Sequence, residues 1–145
     1  ARTATCQVYA SLGLMLALCA RTVGGQMGDV SAGFAHSCRL LITAPYEGQA
    51  ACWGSGDDYI YGPPQYDFDQ STPPSGVVFT GLSTGGFHSC GIRDDGTGAM
   101  CWGRDVERQA TPPTGVTMQT VSAGLYHTCG MTTTGAALCW GAQGQ

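Results

Sequence analysis

The chain has 145 residues, of which 11% are charged; it contains no Lys and no Asn, and its formal net charge is -4. Its six Arg form no cluster or stripe, so nucleic-acid binding has little electrostatic support, and without Asn there is no N-glycosylation acceptor. Gly numbers 23 and Cys eight, which leaves a surface made largely of Ser, Thr, Gln and Gly and fits an extracellular module.

Residues 1–29 admit two readings. Val8 to Ala20 is apolar and small, with Arg2 ahead of it and Val23-Gly24-Gly25 beyond, as in a secretory signal; it is too short and too interrupted for a membrane span. The same segment also echoes the end of the chain. Thr5-Cys6, Gly13, Leu18-Cys19 and Gly25-Gln26 parallel Thr128-Cys129, Gly135, Leu138-Cys139 and Gly144-Gln145, which makes it a degenerate first repeat lacking the Trp and the His.

From Val30 onward one phrase occurs three times: Val30-Ser-Ala-Gly-Phe-Ala-His-Ser-Cys38, Leu82-Ser-Thr-Gly-Gly-Phe-His-Ser-Cys90 and Val121-Ser-Ala-Gly-Leu-Tyr-His-Thr-Cys129. Each is answered by Cys-Trp-Gly, at Cys52, Cys101 and Cys139. Fixed-order self-similarity marks a repeat architecture whose units bury their apolar faces on one another. The repeats divide as 30–81, 82–120 and 121–145, the last incomplete. The block Thr-Pro-Pro-Ser/Thr-Gly-Val recurs at Thr72 and Thr111, 39 residues apart, so 39 is the basic period and the first repeat, at 52, carries insertions.

Within a unit the chain alternates toward Cys38, Cys90 or Cys129, turns at Glu47-Gly48, Asp95-Gly96 or Thr134-Gly135, and returns to Cys-Trp-Gly as a hairpin. Val77 to Thr80 and Val116 to Gln119 supply a further extended segment. Nothing from Val30 onward has a helical apolar period or a capped helix start, so the body is predicted to be all-β.

The cysteines fall at opposite ends of each hairpin: Cys38 with Cys52, Cys90 with Cys101, Cys129 with Cys139 and, in the degenerate unit, Cys6 with Cys19. Residues opposed on neighbouring strands come within disulfide range, and closing loops of this size contributes about 3 kcal/mol on the chain-entropy account. That reading implies an oxidising compartment. Two others stay open: reduced core thiols, and zinc held by His36, Cys38 and Cys52, opposed by the lack of a fourth ligand and of any Cys-x-x-Cys pair. No metal and no cofactor is expected.

The inserted segment of the first repeat gathers Asp57, Asp58, Tyr59, Tyr61, Tyr66, Asp67, Phe68 and Asp69, rigid aromatics that give contact area and carboxylates that steer. It is the candidate partner-binding surface. His36, His88 and His127 are expected to tie a strand to a neighbouring loop, Trp53, Trp102 and Trp140 to form blade-to-blade core, and Gly33, Gly85 and Gly124 to allow close inner-strand packing. No nucleophile elbow, His-Glu-x-x-His or phosphate loop is present, so no catalytic residue is assigned and the chain reads as a non-enzyme.

The phrase Val-Ser-Ala-Gly-x-x-His-Ser/Thr-Cys, the Gly turn, Cys-Trp-Gly and the trailing Gly-Gln resemble the repeat of the regulator of chromosome condensation superfamily, over roughly residues 30 to 145. The paired cysteines are more similar to its secreted and receptor-ectodomain branches, such as the Crinkly-type receptor kinases, than to the nuclear exchange factor. The resemblance implies a β-propeller of seven blades with four strands each, hence a partial propeller here, whose open ends are covered by further chain or by other copies of itself. It also implies a module at the cell surface or outside the cell that binds a protein or glycan partner, or self-assembles, without chemistry of its own. The alternatives are an exchange factor for a small GTPase and a propeller-type enzyme inhibitor, since a bacterial β-lactamase inhibitor also resembles this family.

Overall fold

The computed structural model describes residues 7–9, 16–18, 30–55 and 66–142. Its elements are all strands: β1 (Gln7–Tyr9), β2 (Leu16–Leu18), β3 (Val30–Ala32), β4 (His36–Leu40), β5 (Ala50–Gly54), β6 (Phe79–Thr84), β7 (His88–Arg93), β8 (Ala99–Gly103), β9 (Met118–Ala123), β10 (His127–Thr132) and β11 (Ala137–Gly141). From β3 onward these form three antiparallel sheets of three strands, each with its His- and Cys-bearing strand in the middle: β3-β4-β5, β6-β7-β8 and β9-β10-β11. They are consecutive blades of a partial propeller. β1 and β2 pair as a separate antiparallel hairpin, Gln7 opposite Leu18.

The repeated phrase is two strands rather than one. It breaks after Ala32, Thr84 and Ala123, where the N–H groups of Gly33, Gly85 and Gly124 donate to the carbonyls of His36, His88 and His127, each at 2.8 Å. The expected hairpin follows as β4–β5, β7–β8 and β10–β11. The extended segments read at Val77 to Thr80 and Val116 to Gln119 are not separate strands: Phe79 and Met118 open β6 and β9, which run straight into the repeated phrase. Among the described residues each blade therefore holds three strands, against the four implied by the resemblance. The Thr-Pro-Pro blocks before β6 and β9 stay irregular, since proline has no N–H to give a ladder.

Side-chain alternation gives each blade two unlike faces. On β7, His88, Cys90 and Ile92 point one way, and Ser89 and Gly91 the other, with Trp102 directly opposite Ser89 on β8. The first face of one blade meets the second face of the next. Ile92, Ala99 and Cys101 thus pack with Met118, Val121, Leu138 and Trp140 of the following blade. The core is inter-blade, the disulfide of one sheet lying against the tryptophan side of its neighbour. The middle blade, covered on both sides, has a central strand buried from His88 to Ile92.

Candidate functional site

All three expected disulfides among the described cysteines are formed: Cys38–Cys52, Cys90–Cys101 and Cys129–Cys139, each with Cα atoms 4.0 Å apart. The ladder places these residues directly opposite one another, so the bond joins neighbouring strands without shifting their register. The zinc alternative is overturned, because the sulfurs of Cys38 and Cys52 are bonded to each other. Cys6 and Cys19 lie outside the described residues.

His36 and His88 tie blade to blade rather than strand to loop. His36 Nε2 lies 2.8 Å from Ser89 Oγ of the second blade, and His88 Nε2 lies 2.8 Å from Thr128 Oγ1 of the third. Ser89 Oγ in turn donates to the Gln70 carbonyl at 3.1 Å, which also accepts Trp102 Nε1–H at 2.9 Å. Thr128 Oγ1 and Trp140 Nε1 converge in the same way on the Gln109 carbonyl, at 2.9 and 3.0 Å. Burial lowers the His36 and His88 pKa from 6.5 to about 4, with the neighbouring His36 adding a smaller push at His88. Both rings are neutral at physiological pH and engaged in holding sheets together. His127, in the equivalent place on the third blade, is exposed.

Gln70 and Gln109 drew no expectation from the sequence, although they recur 39 residues apart and each stands 19 residues ahead of its Ser89 or Thr128. Both are 0% exposed. Their side-chain oxygens accept the N–H groups of Phe68 and Glu107, at 2.8 and 2.9 Å, so each shapes its own connection while its carbonyl serves the next blade. The residue before each glutamine, Asp69 or Arg108, takes a positive φ, 59° and 63°.

These connections leave the blades at one end of the sheets. Ser55 N–H donates to Ala35 O at 2.9 Å, Arg104 to Phe87 and Ala142 to Tyr126, both at 2.8 Å, so every segment that follows Cys-Trp-Gly starts beside the turn that precedes a His. The Tyr46–Gly48, Asp95–Gly96 and Thr134–Gly135 turns sit at the opposite end. Of the candidate partner-binding residues, Tyr66, Asp67, Phe68 and Asp69 fall on the first end; Asp57, Asp58, Tyr59 and Tyr61 lie outside the described residues. Tyr66 stacks on Phe87 with centroids 5.6 Å apart and planes 10° from parallel. Phe68 meets the same ring edge-on at 5.8 Å, and Phe34 is tilted against it at 5.6 Å. The Arg104 guanidinium lies 5.8 Å from the Phe68 ring and 5.2 Å from that of Tyr126, and is paired with Glu107. Among the described residues no group of three His, Cys, Asp or Glu is arranged to hold a metal ion.

Residues 79–109 and 119–145 match the family model for the regulator of chromosome condensation (RCC1) repeat. The chain is similar to the ectodomain of the Physcomitrella patens receptor kinase CR4, at 32% identity and a TM-score of 0.62 over 80% of this chain and 29% of that one. It is also similar to the CRINKLY WD40 ectodomain of the Arabidopsis thaliana receptor kinase ACR4, at 28% identity and 0.54 over 77% of this chain and 35% of that one. A third likeness, to Prp20p of Saccharomyces cerevisiae, has 18% identity and a TM-score of 0.56 over 78% and 30% of the two chains, and shows the fold alone. The chain spans about a third of the length of these structures.

Proposed function

We propose that this chain, which carries repeats of the regulator of chromosome condensation type, acts as a non-catalytic interaction module of an extracellular or surface-displayed propeller and binds a protein partner. The observation that carries the reading is the disulfide closing the central hairpin of every fully described blade. Such bonds persist in oxidising compartments, and two of the similar structures are receptor-kinase ectodomains. The buried histidines support a role without chemistry, since both are spent on inter-blade hydrogen bonds rather than paired with a nucleophile.

Expression through a secretory route and in a reducing cytosol tests the reading. Secreted protein is expected to carry no free thiol and to unfold cooperatively, whereas the reduced form should be markedly less stable. A cytosolic product that is fully folded with all thiols free would overturn it. The exchange-factor alternative has support only from the fold, and binding to Gsp1p and histones is a property of Prp20p itself. No acceleration of nucleotide release from a small GTPase is expected of this chain.

A further inference from the structure

We propose that the end of the sheets bearing Phe34, Tyr66, Leu125 and Tyr126 is a docking surface for a basic segment of a partner protein, one that presents a guanidinium or ammonium group beside an apolar side chain. The proposal rests on the interaction-module reading and gives that reading a place and a chemistry.

The surface is an aromatic row across all three blades. Phe87, only 9% exposed, is its hub, and the rings resting on it are open on their outer sides: Phe34 is 72% exposed and Tyr66 43%. The row continues through Arg104 to Tyr126 and Leu125, 40% and 49% exposed, in the third blade, where they also border the face that no further described sheet covers. Phe34 on Phe87 and Arg104 over Tyr126 join adjacent blades, yet the outer sides of Phe34, Tyr66, Leu125 and Tyr126 stay in water. Adjoining apolar groups left in water mark an interaction site.

The charge around the row selects the partner. Asp67, Asp69 and Asp105 are exposed and have no cation within salt-bridge reach among the described residues. Glu107 already neutralises Arg104, which leaves Arg108 as the remaining cation of the two connections. The rim is therefore net acidic and attracts a cationic segment at a distance. The rings themselves accept cations, as the position of Arg104 between Phe68 and Tyr126 demonstrates within the molecule. An incoming Arg or Lys would meet Tyr66 and Phe34 in the same way, its apolar neighbour resting on Leu125. A neutral glycan could stack on the rings but would leave the excess of carboxylates unanswered, so a basic peptide is the better fit.

Selection from a random displayed-peptide library on the disulfide-intact protein tests this, with counter-selection on a Phe34→Ser/Tyr66→Ser variant. Enriched peptides should carry Arg or Lys next to Leu, Phe or Met, bind at least about tenfold more weakly to that variant, and weaken as salt rises. Asp67→Asn/Asp69→Asn, which keeps shape and removes charge, should reduce binding and flatten its salt dependence while leaving the melting curve in place. Enrichment of neutral or acidic sequences, or basic peptides that bind both variants as well as the parent, would overturn the proposal. So would glycan-array binding that the ring variant abolishes when no peptide is enriched. A cytosolic, thiol-reduced native protein would defeat the extracellular reading yet leave this peptide result standing, so the two failures are distinguishable.

Discussion

His88 Nε2 stands 2.8 Å from Thr128 Oγ1, with both side chains 0% exposed, and this contact joins two blades. Thr128 gives its own proton to the Gln109 carbonyl at 2.9 Å, so the proton between the two side chains belongs to the imidazole. The ring is thereby fixed as the Nε2–H tautomer, with Nδ1 bare and unpartnered. Thr128→Val keeps the shape and removes the acceptor, stranding a buried N–H. It should cost about 1–3 kcal/mol in urea unfolding, whereas Thr128→Ser should retain most of that stability. An unchanged midpoint for the valine variant would refute the assignment.

Acid should loosen the same contacts. His36 and His88 have folded pKa values lowered to about 4 from an ordinary 6.5. Their contribution is therefore fully present above pH 6.5 and is lost as pH falls toward 4, because the unfolded chain takes up the protons first. The loss should amount to a few kcal/mol in total. Denaturant titrations at pH 7.5, 5.5 and 4.5 should show the decline, and His88→Gln should flatten it; a flat profile for the parent would contradict the buried neutral state.

Non-reducing peptide mapping should return Cys38–Cys52, Cys90–Cys101 and Cys129–Cys139 and, as the sequence leads one to expect, Cys6–Cys19. Each removed bridge should lower stability by about 3 kcal/mol, since the closed loops are of similar size. A scrambled pattern, or free thiols in the native protein, would count against the hairpin pairing.

Phe68 and Tyr66 should respond differently to truncation, although in sequence both belong to one inserted segment. Phe68 is half-buried, edge-on to Phe87 and beneath Arg104. Phe68→Ser should cost about 1–3 kcal/mol, and Tyr66→Ser much less. Equal melting temperatures for the two variants would show that Phe68 contributes no more than its exposed neighbour.

The third blade presents an open concavity of about 490 Å³ lined by Leu125, Tyr126, His127, Cys129, Cys139, Trp140 and Ala142. Its counterparts in the first two blades are covered by a neighbouring sheet. At the other side Trp53 is 47% exposed and Ser37 has no imidazole partner among the described residues. Light scattering of this chain at low micromolar concentration should therefore show self-association, and a monodisperse monomer would exclude it.

What the sequence made legible was whatever depends on neighbours along the strand. Cys38 and Cys52, or Cys90 and Cys101, had to face each other once a hairpin with a central turn was accepted, and the all-β class followed from the same alternation. The blade-to-blade relations were harder to see, because they join residues 40 or 53 apart through groups with no distinctive chemistry. The partner of His36 is the hydroxyl of Ser89, and the serine's importance depends on a sheet packed beside it. Gln70 and Gln109 were hidden for another reason: they lie in connections that read as loops, and the atom that binds tryptophan is a main-chain carbonyl.

The two glutamines have a consequence for how such a chain can vary. Gln70 stands nine residues ahead of Phe79 and Gln109 nine ahead of Met118, yet the first connection is ten residues longer between its Cys-Trp-Gly and its glutamine. All the difference in length is therefore taken up before the glutamine, and the run from glutamine to the next blade is constant. A foreign sequence spliced in after Gly54 or Gly103 would leave every inter-blade hydrogen bond with its original partners, whereas a single deletion between Gln109 and Met118 would pull the carbonyl away from Trp140. The repeat thus contains a cassette position and a fixed spacer, and new binding loops can be exchanged in the first without retuning the second.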